Sequence, residues 1–160
     1  MAPPLATVHA SAVLVGARAV LIRGPSGAGK SRLALELMAA AQANVLLFAR
    51  LVADDRVHLE TAGGRLLVRP AAALAGLIEV RGVGLLRLVH EPSAVVGLVV
   101  DLAAADAKRL PQADHQKTVI AGITLPRLAV AVGAVALPAV LAVLTSSRSD
   151  IAAWEPNIGS

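Results

Sequence analysis

The sequence predicts an α/β fold in which a mixed sheet is flanked by helices and carries β-hairpins. Three observations support this class. An apolar run at 19–22 leads through a glycine-rich loop at 24–31 into an apolar helical segment at 33–38. Further short apolar runs recur between turn residues, as expected for strands. Hydrophobic residues make up 56% of the 160 residues, which is enough for one sizeable core, so we expect a single domain over 1–160.

The individual elements are predicted from alternation, apolar runs and turn residues. Residues 7–15 and 19–22 form a first hairpin, and a helix follows from about Ser31 to Ala43. Residues 56–60 and 65–68 form a second hairpin around a Gly-Gly turn. The remaining expected elements are strands at 45–49 and 51–53, a helical turn at 71–74, a strand at 77–86 that two glycines interrupt, a strand at 95–102, a polar loop at 103–116, a buried strand at 128–132, and a closing helix from Pro138 to Leu144.

The glycine-rich loop matches the complete phosphate-binding pattern G-x-x-x-x-G-K-S/T, and it has the required strand before it and helix after it. Its glycines let backbone N–H groups turn inward around phosphate oxygens. Lys30 would reach the β- and γ-phosphates, and the hydroxyl of Ser31 would face Mg²⁺. The sequence therefore predicts a site for ATP or GTP with Mg²⁺, formed by Gly24, Pro25, Ser26, Gly27, Ala28, Gly29, Lys30 and Ser31.

Two adjacent carboxylates, Asp54 and Asp55, end the apolar strand at 51–53. In a regular strand they would point to opposite faces, so both can converge on one site only at the strand end. One would orient the metal or its water, and the other would accept the proton of an incoming hydroxyl. The residues leave open which aspartate does which. The structural alternative is that Asp54 caps the following turn and Asp55 is solvated.

Three further charged residues are candidates for the same site. Glu79 stands in an apolar strand, where an unpaired carboxylate is costly, so it is expected to meet a metal or a cation such as Arg81. A structural salt bridge is the alternative. His9 is, on spacing alone, more simply a packed or hydrogen-bonded side chain. Arg109 is either a solvated charge or a cation that stabilises a transferring phosphate. No metal-ligand spacing links the other histidines, His58, His90 and His115.

Composition argues against several classes of protein. The 15 basic and 11 acidic residues give a net charge of +4, and no stacking aromatics lie between the scattered basic residues, so a nucleic-acid surface is not expected. The positive balance suits an anionic nucleotide and an acidic or phosphorylated partner. The chain has no cysteine and no recognisable signal peptide, and we expect it to be cytoplasmic. The uncharged stretch 128–144 is interrupted by Gly133 and Pro138, so no membrane span is expected.

Three motifs, in the same order, resemble those of the HPr kinase/phosphorylase family. They are the phosphate loop at 24–31, the segment 51–57 with the paired aspartates, and the segment 77–84. This last segment resembles the family's signature, with the residues Glu79, Val80, Arg81, Gly82, Val83 and Gly84. Val8-His9 and Lys108-Arg109-Leu110 are also similar to family segments. The resemblance covers about residues 7–145, the catalytic domain only, and is closest in form to the short members of alphaproteobacteria.

This resemblance implies an α/β phosphate-loop domain of the HPr kinase type. It implies ATP-dependent phosphorylation of a serine on HPr, the small phosphocarrier of the phosphotransferase system, and a hexameric assembly. Lys30 would bind the β- and γ-phosphates, and Mg²⁺ would be held by Ser31, Asp55 and Glu79. His9 would lie beside the aspartates that handle the serine proton. Arg109 would stabilise the transferred phosphoryl group.

The chain departs from the family pattern at two places. Arg32 follows Ser31 where many members carry an acidic residue, so its charge opposes the helix dipole. Segment 130–136 is apolar where longer members carry a basic stretch linked to dephosphorylation, so phosphorolysis of the product is not expected. These departures leave an ATP-binding regulatory module with little transfer activity as one alternative. A small-molecule kinase is the other, because a phosphate loop and carboxylates do not name the acceptor.

Overall fold

The computed structural model describes residues 6–146. The predicted α/β class with a mixed sheet is confirmed, and the ends of the predicted 1–160 domain lie outside the described residues. The helices are α1 (Lys30–Gln42) and α2 (Leu137–Thr145), with short 3-10 turns at Ala72–Leu74 and Ala113–Gln116. The strands are β1 (Val8–Val15), β2 (Arg18–Arg23), β3 (Ala49–Ala53), β4 (Arg56–Ala62), β5 (Arg65–Pro70), β6 (Leu77–Val80), β7 (Gly84–Arg87), β8 (Ala94–Asp101), β9 (Lys117–Ile120) and β10 (Ile123–Ala129).

The main sheet is built on three parallel strands, in which β8 lies between β2 and β10. Antiparallel strands extend this centre: β1 pairs with β2 and β3, and β9 pairs with β10. The carboxyl ends of β2, β8 and β10 therefore reach the same edge of the sheet. In α/β sheets this edge is where ligands bind.

The two long strands, β1 and β8, change partners along their length. The first residues of β1, Val8 and His9, pair with β4, whereas the rest of β1 pairs with β2 and β3. The start of β8 likewise pairs with β5, and β5 pairs with β4. The pairings β1–β4–β5–β8–β2 thus close on themselves. The start of β1 is held by β4 directly beside the end of β3.

The core has two parts on either side of this sheet. On the helix side, α1 buries one face, with Leu33, Ala34, Leu37 and Ala40, against the sheet, as their helical spacing requires. Among the strands a second cluster forms with no helical residue. It consists of Ala10, Ala12, Ala19, Leu21, Val52, Ala53, Val57, Leu66, Val68, Val96, Val99 and Leu125.

Two predicted strands are wrong in extent. Of the predicted strand 45–49, only Ala49 is in a strand, because the chain folds back over the end of α1. Asn44 has φ 62°, and the N–H groups of Val45 and Leu46 donate to the carbonyl of Ala40. The predicted strand 77–86 is instead a hairpin of β6 and β7, which form their own two-stranded sheet. The positive φ of the two glycines between them, Gly82 and Gly84, makes the turn.

The C-terminal elements also differ from the prediction. The strand expected at 128–132 runs over Ile123–Ala129, and the preceding strand β9 was not predicted. The N–H of Val130 donates to the carbonyl of Asp101, so the chain stays beside β8 for one residue after the strand ends. The closing helix was predicted correctly, with Pro138 in its first turn. Within residues 6–146 no helix is long and apolar enough to cross a membrane.

Candidate active site

The phosphate loop connects the end of β2 to the start of α1. Gly29 caps α1 in the left-handed conformation, with φ 101°. The Nζ of Lys30 donates to the carbonyl oxygens of Gly24 at 2.8 Å and Pro25 at 3.2 Å, so the ammonium group is held across the loop. A Cβ on Gly24 would lie 3.1 Å from the Cβ of Leu102 and 3.2 Å from its carbonyl oxygen. The loop therefore packs directly on the end of β8.

Asp54 is the hydrogen-bonding centre of the site. It follows β3 and is 5% exposed. Its Oδ1 accepts from the hydroxyls of Ser11 and Ser31, each at 2.7 Å, and its Oδ2 lies 2.8 Å from the same Ser31 hydroxyl. Oδ2 also accepts from the backbone N–H of Glu79 at 3.2 Å. One buried carboxylate thus joins β1, the phosphate loop and the start of the signature segment.

Asp55 has a different environment from its neighbour. Its φ of 71° turns the chain at the strand end, and its N–H donates to the Ser11 hydroxyl at 3.2 Å. Its side chain is 61% exposed, and its Oδ1 lies 3.8 Å from Nδ1 of His9. The pairing of His9 with Arg56 on β4 explains this proximity, because Arg56 directly follows Asp55. The two aspartates therefore share Ser11 but present one buried and one open carboxylate.

The side chain of Glu79 is not placed as the sequence predicted. Glu79 lies on β6, but its side chain is exposed, because the β6–β7 hairpin leaves one face open to solvent. Within residues 6–146 it forms no salt bridge, so of the two partners expected for it, a metal or a cation such as Arg81, the ion pair with Arg81 is not formed. Its backbone N–H nevertheless donates to Asp54, so the start of the signature segment lies beside the phosphate-loop serine, which Asp54 also binds. The rest of the signature segment, 80–84, continues into the turn of the hairpin.

Arg109 lies in the predicted polar loop and is exposed. It lines a cavity of about 330 Å³ between this loop, the end of β10 and α2. Lys108 and His115 line the same cavity, whose floor includes Leu98 and Val143. No residue of the phosphate loop lines it. The structure thus brings together the phosphate loop, the two aspartates and His9, but it records no contact of Arg109 with them.

A network of arginine and aspartate side chains at the carboxyl edge of the parallel strands was not predicted from the sequence. Asp101 ends β8 and accepts from Arg23 (Nε to Oδ1, 2.7 Å; Nη2 to Oδ2, 2.8 Å) and from Arg127 (Nε to Oδ2, 2.5 Å). Burial alone would raise the pKa of Asp101, but the two guanidinium groups hold it below its ordinary value. Ser11 was missed as well. The sequence did contain a signal for each residue. Asp101 is an acid at the end of an apolar strand, and Ser11 is a single polar residue inside another.

The donor set suits Mg²⁺ rather than a metal that needs a protein cage. Among residues 6–146, no three His, Cys, Asp or Glu side chains converge on one point. The Ser31 hydroxyl and the Asp54 carboxylate do lie together at the phosphate loop. Mg²⁺ keeps several waters and is usually bound through one or two carboxylates plus substrate phosphates. A hydroxyl and a carboxylate beside a phosphate loop therefore fit this ion.

A glycine-rich loop of the phosphate-binding pattern at the end of a parallel strand, with a buried aspartate hydrogen-bonded to its serine, is typical of α/β domains of the phosphate-loop class. Comparison with known proteins identifies the particular group. The profile of the HPr Serine kinase C-terminal domain family matches residues 2–143, and the chain belongs to this family. The resemblance that the motifs indicated is therefore confirmed.

Individual relatives agree with this assignment. The chain is 34% identical over 140 residues to the HPr kinase/phosphorylase of Exiguobacterium. This alignment covers 81% of this chain and 43% of that protein. It is 36% identical over 104 residues to the HPr kinase/phosphorylase of Neisseria meningitidis, covering 60% of this chain and 30% of that protein. The chain thus spans less than half the length of these curated relatives. The solved HPr(Ser) kinase/phosphatase of Coxiella burnetii shares the fold, with a TM-score of 0.66, 21% identity, and coverage of 87% of this chain and 88% of that one.

Proposed function

We propose that this chain transfers the γ-phosphoryl group of ATP to a serine of an HPr-like phosphocarrier protein. The observation that carries the proposal is the arrangement around Ser11. The buried Asp54 accepts hydrogen bonds from Ser11 and from the phosphate-loop serine, Ser31. The solvent-exposed Asp55 follows it in the chain and lies beside His9. Phosphoryl transfer to a hydroxyl needs a group that organises the metal and a group that accepts the hydroxyl proton. Family membership supports HPr as the acceptor.

The nucleotide and metal would be held by the phosphate loop. Its backbone N–H groups and the start of α1 would bind the phosphates, and Lys30 would exchange its two carbonyl partners for β- and γ-phosphate oxygens. Mg²⁺ would neutralise charge on these phosphates. Ser31 would coordinate it, with Asp54 orienting its water and Glu79 reaching it from the rim of the site. These roles are also those that the family resemblance implies for Ser31 and Glu79.

We assign the proton-accepting role to Asp55. Both oxygens of Asp54 already accept hydrogen bonds from protein donors, and the carboxylate is buried, so an incoming hydroxyl has no free oxygen to approach there. Asp55 is open to an incoming serine. In the proposed step the serine oxygen bonds to the γ-phosphorus, the bond to the leaving ADP oxygen breaks, and the serine proton passes to Asp55. His9 would orient Asp55, and Arg109 would stabilise charge on the transferred group. Asp55, also expected as a metal ligand, then contacts the acceptor rather than the ion.

The test is phosphorylation of the HPr-type carriers from the chain's own genome with Mg-ATP, read by intact mass and by mapping of the modified residue. We expect one added phosphoryl group on a carrier serine. Asp55→Asn should lose transfer while retaining ATP binding, and Lys30→Ala should lose ATP binding. Glu60→Gln, an exposed carboxylate on the β4–β5 hairpin, is the matched control and should behave as the unsubstituted chain.

The other outcomes have defined meanings. ATP binding with no carrier modified would overturn the proposal in favour of a regulatory module, and turnover of sugars or metabolites alone would favour a small-molecule kinase. If Asp54→Asn retained ATP binding and lost transfer while Asp55→Asn stayed active, the assignment of the base would be wrong. Incubation of phosphorylated carrier with inorganic phosphate tests the expected lack of phosphorolysis. Light scattering of the purified chain tests the hexamer.

A further inference from the structure

We propose that Arg127 is a positioning residue that holds the segment 107–114, here called the arginine arc, in a fixed position relative to β2, the strand that leads into the phosphate loop. The proposal rests on the proposed function, in which Arg109 of this arc stabilises the transferred phosphoryl group. Arg127 lies on β10 and is 13% exposed. It touches neither the phosphate loop nor the aspartate pair in the described structure. Its influence on catalysis therefore runs through the residues that it binds.

The contacts of Arg127 fix both ends of the arc. Before the arc, Asp106 accepts two hydrogen bonds from the guanidinium, Nη1 to Oδ2 at 2.7 Å and Nη2 to Oδ1 at 2.9 Å. After the arc, the backbone carbonyl of His115 accepts from the same Nη1 at 3.0 Å. A single planar side chain thus closes the loop across its two ends. Only a guanidinium can do this, because lysine offers a point charge without the fork geometry.

The remaining contact of Arg127 ties the arc to the phosphate loop. Its Nε donates to Asp101, which also binds Arg23, the residue directly before Gly24. The chain between the network and the arc is anchored too, because the N–H of Leu102 donates to the carbonyl of Arg23 at 2.8 Å. Through Asp101, the arc is therefore held in a fixed position relative to β2, the strand that leads into the phosphate loop.

The charges in this network are balanced, whereas those of the arc are not. Two guanidinium groups, of Arg23 and Arg127, face two carboxylates, of Asp101 and Asp106. The guanidinium of Arg127 lowers the pKa of Asp106 to about 2, so this carboxylate stays charged at neutral pH. Lys108 and Arg109 form no salt bridge within residues 6–146. The network thus holds an arc whose two cations are available to an anionic group.

The first experiment measures the arc itself and needs no enzymatic activity. Trypsin cleaves after Lys108 and Arg109, and peptide mass spectrometry follows cleavage at these two bonds. We expect Arg127→Met to speed this cleavage by roughly tenfold or more, because a loop that opens locally is cut from its open population. Arg127→Lys should resemble Arg127→Met. The control is Arg69→Met, a strand arginine of the β4–β5 hairpin that pairs with Glu60, and it should not change cleavage of the arc.

The second experiment separates positioning from general support of the fold. Arg127→Met should lower kcat for carrier phosphorylation by roughly 10- to 100-fold, the cost of misplacing a group at the transition state, and leave KM for ATP nearly unchanged. In a double-mutant cycle, adding Arg127→Met to Arg109→Met should lower kcat little further, because both substitutions remove the stabilisation of the transferred phosphoryl group by Arg109. Asp106→Asn, a milder change at a partly exposed site, gives the same test if Arg127→Met does not fold.

The outcomes distinguish this proposal from the function on which it rests. Unchanged cleavage of the arc in Arg127→Met would overturn the positioning role. So would a double variant in which the free-energy costs of Arg109→Met and Arg127→Met, measured from kcat, are simply additive. If the unsubstituted chain transfers no phosphoryl group, the proposed function fails, and with it the role of Arg109. The trypsin result then still decides whether Arg127 holds the arc.

Discussion

Removal of the Ser11 hydroxyl is the most informative perturbation of the site, because this one group serves both aspartates. In Ser11→Ala, Asp54 loses a charge-assisted hydrogen bond of 2.7 Å, and the backbone N–H of Asp55 loses its acceptor at 3.2 Å. Ser11 is fully buried, and water has little access to replace the lost partner. The substitution therefore leaves the partly buried N–H of Asp55 without its partner, and it leaves the buried carboxylate of Asp54 with one donor fewer.

The expected cost follows from these two losses. A hydrogen bond to a charged group contributes about 1.5–3 kcal/mol, and an unsatisfied buried donor costs about 1–3 kcal/mol. Because the remaining donors, Ser31 and the Glu79 N–H, still hold Asp54, we expect a loss of about 3 kcal/mol in the free energy of unfolding, near the lower end of the combined range of about 2.5–6 kcal/mol. With a urea slope of about 2 kcal/mol per molar, the unfolding midpoint should fall by about 1.5 M.

The assay is equilibrium unfolding in urea, with Thr145→Ala as control. Thr145 also donates its hydroxyl to a carbonyl, that of Leu141 at 2.7 Å, but it is exposed on α2, so its midpoint should stay within about 0.25 M. A midpoint for Ser11→Ala that matches the Thr145→Ala control would refute the argument that the buried hydroxyl supports Asp54. A large shift with full kinase activity would instead show that Ser11 stabilises the fold without setting the catalytic geometry.

Three further predictions concern the turns and the arginine network. Gly76→Ala should lower Tm for two reasons: Gly76 has φ 77°, and a Cβ there would lie 2.8 Å from Nδ1 of His90. Adding His90→Ala removes the clash with that side chain but not the backbone strain, so it should recover only part of the lost Tm. Full recovery would show that backbone strain is negligible. Ala121→Asn, at a hairpin turn position with φ 51°, should raise stability by about 0.5–1 kcal/mol in thermal unfolding, and a lower Tm would contradict this. Asp106 has a folded pKa of about 2, below its ordinary 3.8, so its pairing with Arg127 stabilises the fold fully above pH 3.8 and stops doing so as pH falls through 2. Between pH 4.5 and 2.5 the Tm of the unsubstituted chain should therefore fall more steeply than that of Asp106→Asn, and parallel curves would disprove the linkage.

The parts of the fold that were predictable are those that local sequence determines. The first hairpin, the phosphate loop with α1, and the closing helix each depend on turn residues, spacing or a capping position within a short segment. The two halves of 77–86 were less predictable, because strand propensity gives no sign that the glycines reverse the chain. β9 and the true limits of β10 depend on pairing with each other and with β8, which sequence periodicity does not reveal.

The site shows the same division between local and long-range information. The phosphate loop and the adjacent aspartates were found from sequence, but their different burial was not, because it depends on where β1 places Ser11. Glu79 was expected to be buried because its neighbours are apolar. β6 and β7 form a separate two-stranded sheet, and the face of this sheet that carries Glu79 is open to solvent. The Arg127 network joins β2, β8, β10 and a loop, and no spacing rule connects such distant residues.

The parallel pairing of β2 with β8 also sets an order for biosynthesis. The phosphate loop is synthesised before β8, so the strand that leads into it gains its parallel neighbour only after Asp101 has been made. Until then β2 can form its hairpin with β1, and the glycine loop lacks the end of β8 against which it packs. Under the proposed function, a nascent chain should therefore acquire affinity for ATP only once β8 is complete, and fragments that end before β8 should not compete with the full chain for ATP.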